Sequence, residues 1–104
     1  MSKMKKFEYI KWFWKYIDDE TPVLLFYEVD LENERYATRM TEVFCDRTIK
    51  PVIEEGFDFV TEVPIPMIDE INCEPEFFAE IISNAEFEEV YNSKKYMGYI
   101  EFPK

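Results

Sequence analysis

Carboxylates and two cysteines are the side chains of this sequence best suited to chemistry, because it contains no histidine. Without an imidazole there is no group poised to exchange protons near neutral pH, no histidine triad and no histidine-ligated metal. Cys45 and Cys73 have no imidazole to activate them, and the Cys-x-x-Cys pairs typical of zinc sites are absent. Both thiols are expected to be small buried hydrophobes that stay reduced, one ending a strand and one near a helix junction. Carboxylates are plentiful, but glycoside hydrolysis needs two of them held about 5–10 Å apart across a cleft. No spacing among Glu28, Glu42, Glu54, Glu55, Asp58 and Glu62 selects such a pair. The alternating Asp/Asn pattern of a calcium loop is missing. Only two glycines occur, Gly56 and Gly98, which excludes a glycine-rich phosphate loop. The expectation is a non-enzymatic chain with no catalytic residue, no metal ligand and no cofactor.

The charge pattern points elsewhere. There are 23 acidic and 12 basic residues, a net charge of −11. Affinity for nucleic acid comes largely from Lys and Arg neutralising phosphate, and anionic membranes select for the same residues. Neither partner is expected. Residues 1–17 are net basic through Lys3, Lys5, Lys6, Lys11 and Lys15, while the stretch Asp69–Glu89 has no base at all. The acids Asp69, Glu70, Glu74, Glu76, Glu80, Glu86, Glu88 and Glu89 therefore form the candidate partner surface. Charge runs are often simply solvated faces, but this one would also steer a basic protein toward it. Trp12 and Trp14 share one side of a strand. Core packing accounts for them, and an aromatic platform for single strands would need a basic groove.

The elements that position these residues follow from 104 residues, 47% hydrophobic and 18% aromatic, which is one domain with a real core. No apolar run approaches the roughly 20 residues of a membrane span. The apolar stretch after the basic N-terminus is broken by Glu8, Lys11 and Lys15, with no small-residue cleavage site following. A cytoplasmic protein is expected. Period-two patterns predict strands at Phe7–Ile17, Val23–Val29, Arg35–Cys45 and Thr48–Ile53, with a fifth at Phe57–Val63 after the Gly56 turn. Asp30–Glu34 and Asp46–Arg47 read as turns. Beyond Pro66 the period lengthens. Met67–Ile71 fits a short helical turn. Pro75 suits a helix start, with Phe77, Phe78, Ile81 and Ile82 on one helical face. Ser83 and Glu86 have capping-box spacing, so a new helix should begin there and present Phe87, Val90 and Tyr91 to the core, with Glu88 and Glu89 facing water. The tail Tyr96–Phe102 alternates weakly, as a returning edge strand would. The expected architecture is α+β: a curved antiparallel meander of about five strands over residues 7–63, then two or three short helices over 67–92 packed on one face, then a tail over 93–104.

Several segments, taken in order, resemble a known family. They are Tyr9-Ile10-Lys11, Glu20-Thr21-Pro22-Val23-Leu24-Leu25, Glu28-Val29-Asp30 and Arg35-Tyr36-Ala37-Thr38-Arg39 in the first half. In the second half they are Pro64-Ile65-Pro66, Asp69-Glu70-Ile71, Glu74-Pro75-Glu76-Phe77 and Ser83-Asn84-Ala85-Glu86-Phe87. Together, over roughly residues 9–91, they resemble a small bacterial domain-of-unknown-function family associated with polymorphic toxin loci. The order of the segments is more specific than any one of them. The resemblance implies no catalytic residues and an immunity role, in which an acidic domain neutralises a basic toxin. The basic N-terminus and the tail after Asn92 depart from the family pattern. An adaptor or regulatory binding module unrelated to toxins is the alternative, and a carboxylate-dependent enzyme a more distant one.

Overall fold

Strand β1 (Phe7–Trp14) is apolar on both sides, so it belongs inside a sheet with a layer on each face. The computed structural model, which describes residues 6–15, 18 and 20–104, places it there. β1 pairs with β2 (Leu24–Asp30) on one side and with β5 (Phe77–Ile82) on the other. β2 pairs with β3 (Tyr36–Val43), which pairs with β4 (Ile49–Val52). All four pairings are antiparallel, in the spatial order β4-β3-β2-β1-β5. Two short helices, α1 (Ile68–Ile71) and α2 (Asn84–Tyr91), follow the meander in sequence. No helix among the described residues is long and apolar enough to cross a membrane.

The two faces of the sheet carry separate cores. On one, Ile10, Leu25, Tyr27, Val29 and Ala37 pack with Ile65 and with Ile71 of α1, and Trp12, Trp14 and Phe77 close around them. Phe77 sits 5.3 Å from Trp12, edge to face, and 5.9 Å from Trp14. The tryptophans thus pack against this core, partly buried and on one face as their shared parity requires. On the other face, Phe13, Leu24, Phe26 and Val43 pack with Phe87 and Val90 of α2 and with Tyr96 of the tail. Burying one such aromatic is worth about 1.5–3 kcal/mol by transfer.

The turns fall where the sequence predicts them. Asp30 caps its own turn: its carboxylate accepts from Glu32 N at 3.0 Å and Asn33 Nδ2 at 2.7 Å. Asp46 does the same for Thr48 N at 2.9 Å, and Arg47 takes a positive φ of 75° in that hairpin. Ser83 Oγ accepts from Glu86 N at 3.1 Å, so α2 starts where its cap predicts.

Five expectations need correction. Phe77–Ile82 is not a helix but strand β5, paired along β1 from Tyr9↔Ile82 to Trp14↔Phe77. Phe77, Phe78, Ile81 and Ile82 fit a helical stripe, but they equally fit a strand buried on both sides. The open edge of β1 decides between the two. Phe57–Val63 forms no strand: Val60 N donates to Ala37 O at 2.9 Å and Ile65 N to Arg35 O at 2.8 Å. Between them, however, the Thr61 hydroxyl accepts from Ala37 N at 3.1 Å where a ladder would use a backbone carbonyl. The helices lie on opposite faces of the sheet rather than on one, because Ile71 and Phe87 belong to different cores. Both cysteines are exposed rather than buried. The tail makes one bridge, Thr48↔Lys95, and no strand. Tyr16 and Ile17, expected to extend β1, lie outside the described residues, as do Lys3 and Lys5.

Both sheet edges are blocked. Pro51 of β4 has no N–H to offer a further strand. At β5, the Asn72 side chain reads Ala79 as a strand would, donating Nδ2 to its carbonyl at 2.9 Å and accepting its N–H at 2.7 Å.

Candidate partner surface and the Glu28–Arg39 network

The eight acids singled out by sequence do not converge on one patch. Asp69 and Glu70 lie on α1, Glu74 and Glu76 in the turn before β5, and Glu80 on β5. Glu86, Glu88 and Glu89 lie on α2, across the sheet. All but Glu88 are exposed. Glu70 also has a local task, accepting from Met67 N at 3.1 Å at the start of α1. None of the seven exposed carboxylates makes a salt bridge among the described residues.

Glu88, expected to face water, does so while reaching over to an arginine. Its carboxylate holds Arg39, at 3.2 Å from Nη1 to Oε1 and through Nη2 to Oε2. Arg39 simultaneously grips Glu28 side-on, Nε to Oε1 at 2.9 Å and Nη2 to Oε2 at 2.8 Å. The guanidinium stacks on two rings of α2, 5.1 Å from Phe87 and 5.0 Å from Tyr91. Glu28 is buried and takes two further donors, the Thr38 hydroxyl at 2.7 Å and the Tyr9 hydroxyl at 2.9 Å.

The strand register explains how one carboxylate meets Thr38 and Arg39 together. Glu28 opposes Arg39 but the next residue, Val29, opposes Ala37, so Thr38 is the extra residue of a β-bulge. Burial alone would favour a neutral Glu28. The bonds from Arg39, Thr38 and Tyr9 outweigh it and hold its pKa down at about 2. Tyr9 is pushed up, first by burial and then by its bond to this anion. Arg39 is pulled up by its bonds to Glu28 and Glu88. Glu88 is held below its ordinary value by Arg39. With internal donors on both oxygens, Glu28 is arranged as an anionic brace joining β1, β2, β3 and α2, not as a proton acceptor for a substrate.

Sequence reasoning passed over this network. Its signal was Glu28 itself, a lone charge inside the apolar run Val23–Val29, with Arg39 on the adjacent alternating strand. A second cation bridge, also unread, fastens the far side: Arg35 donates Nη2 to Glu8 at 2.9 Å and Nε to the Ile65 carbonyl at 2.8 Å. A third, Arg47, holds the tail carbonyls of Tyr96 and Gly98 at 2.8 and 2.6 Å. Every arginine of the chain is thereby spent internally. No group of three or more Cys, Asp or Glu among the described residues is placed to hold a metal.

A family model described as Domain of unknown function (DUF6881) matches residues 8–96. The chain belongs to this family. The DUF6881 span takes in all five strands except Phe7, both helices, and Tyr96 of the second core. It thus reaches past Asn92, into the region the sequence reading set apart as a tail. Glu28, Arg39 and Glu88 all fall within it. No curated protein and no solved structure matches the chain.

Proposed function

We propose that this domain is a non-catalytic, acidic protein-binding domain that neutralises a cognate basic bacterial toxin in the cytoplasm. One observation carries the reading: Asp69, Glu70, Glu74, Glu76, Glu80, Glu86 and Glu89 are exposed with no cation paired to them among the described residues. The arginines that could neutralise them are committed to Glu8, Glu28, Glu88 and backbone carbonyls. A surface of unopposed negative charge accelerates encounter with a basic partner, and an inhibitor of this kind needs complementarity rather than an active site.

Because Asp69 and Glu70 lie on α1 and Glu86 and Glu89 on α2, which packs on the opposite face, a partner that uses both groups must reach around the sheet. The test is co-expression with the toxin domain encoded beside it, followed by association kinetics. The domain should rescue growth and co-purify. The triple reversal Glu76→Lys, Glu80→Lys and Glu89→Lys should slow association several-fold at low salt, with the difference fading as the Debye length falls to about 8–10 Å. Association unchanged by the reversal at every salt concentration would make the acidic face a solvated one only. An adjacent gene that encodes no toxin would return the domain to the adaptor reading.

A further inference from the structure

The residues between β4 and α1 form the side wall of a groove that the acidic helices do not touch. Its cavity of about 670 Å³ is lined by Tyr36 of β3 and by Glu54 and residues 56–62. One of its lining residues, Phe57, is 74% exposed, and Ile53 and Val63, which flank the lining stretch in sequence, are exposed too. A single exposed hydrophobic is ordinary, but a large aromatic left in water at the mouth of a concavity is suited to contact.

The segment is anchored rather than loose. Val60 reaches into the first core, Thr61 and Val60 bond to Ala37, and the Phe59 ring packs 5.5 Å from Tyr36. The groove therefore has a fixed floor, with Phe57 projecting at its rim. Its charged lining is of one sign: Glu54, Asp58 and Glu62, with no Lys or Arg among the lining residues and no salt bridge to any of the three among the described residues. Its side chains are rich in acceptors and aromatic faces and poor in N–H donors. An occupant must bring the positive charge and the donors.

We propose that this groove is the docking site for a basic, apolar-flanked segment of a protein partner, in which an Arg or Lys side chain enters among Glu54, Asp58 and Glu62 while Phe57 packs on the neighbouring aliphatic residue. A guanidinium satisfies such a site twice, by charge-assisted bonds to carboxylates and by stacking on Tyr36 or Phe59. A partly exposed aromatic beside a charged pocket is also the composition of an interface hot spot. The proposal rests on the reading of the domain as a binder of basic proteins and supplies what the acidic helices lack, an apolar anchor.

The test titrates the ¹⁵N-labelled full chain with acetyl-Arg-Leu-Arg-Leu-Arg-Leu-amide, and with the same peptide carrying Glu in place of Arg. Amide shifts should concentrate at Tyr36 and residues 54–62 with the Arg peptide and be absent with the Glu peptide. Phe57→Ala with Asp58→Asn, both at exposed positions, should weaken binding at least tenfold while leaving the sheet amides in place. The Glu76/Glu80/Glu89 triple reversal should weaken it far less. Shifts confined to residues 69–89 and abolished by the triple reversal would overturn the groove and leave the acidic-surface reading standing. No shift with either peptide, or equal shifts with both, would overturn the groove directly.

Discussion

Arg39 meets Glu28 side-on, with Nε 2.9 Å from Oε1 and Nη2 2.8 Å from Oε2, and the pair is roofed by Phe87 and Tyr91. Glu28 has an ordinary pKa of 4.5 and is held at about 2 in the fold. A carboxylate whose pKa is lowered by folding contributes stability that is complete above its unfolded value and is lost as pH falls through the folded one. Stability measured by urea midpoint should therefore decline between about pH 5 and pH 2, and Glu28→Gln should flatten that decline. At pH 7 the same variant should cost about 3 kcal/mol, since it strands Arg39 against a half-empty site. Glu88→Gln should cost within about 1 kcal/mol, because that carboxylate is largely in water. Equal losses for the two variants would contradict the assignment of Glu28 as the brace.

Asn72 substitutes for a sixth strand at Ala79. Asn72→Ala should remove two hydrogen bonds and cost roughly 1–3 kcal/mol. It should also speed hydrogen exchange at the Ala79 amide and expose the β5 edge, which light scattering would register as self-association at high concentration. Unchanged exchange at Ala79 would show that the amide finds another acceptor.

The Ser83 hydroxyl caps α2, and Ser83→Ala should lower stability by about 1 kcal/mol. Ser83→Asp, which keeps an acceptor and suits the helix N-terminus, should restore most of it. A chemical denaturation midpoint that does not move for Ser83→Ala would remove the cap from the account.

Both thiols are exposed, so the native protein should be alkylated at Cys45 and at Cys73 without denaturant. Mass spectrometry should find two adducts at neutral pH. A single adduct would place one thiol inside the fold.

What could be read in the sequence was local. The first four strands of the meander, the turns at Asp30–Glu34 and Asp46–Arg47 and the Ser83 cap depend on neighbours a few residues apart and were legible, although the capping of those turns by Asp30 and Asp46 was not read. The misread elements depend on distant partners. Phe77–Ile82 supports two periodicities equally, and only the vacant edge of β1, more than sixty residues earlier, makes it a strand. Phe57–Val63 has strand composition, but the hydroxyl of Thr61 interrupts its pairing with Ala37. Of the candidate surface, seven acids are exposed as expected. Glu88 is diverted because Arg39, 49 residues away, is brought beneath α2. The groove at residues 54–62 left no mark in the spacing, since a concavity depends on where the floor lies.

The bulge at Thr38 takes up one residue of β3 without changing which residues face which core. With Thr38 present, Arg39 faces α2 while Ala37 faces the core that holds Ile65. Deleting that one residue would restore an unbroken two-residue repeat from Val43 back to Tyr36, with Ala37 still opposite Val29 and still in the same core. Every side is kept, and what is lost is the Thr38 hydroxyl on Glu28. A single-codon deletion of Thr38 should therefore cost little more than Thr38→Ala, since both lose the hydroxyl that bonds Glu28, and this is the one position of β3 where a change of length leaves the faces in place.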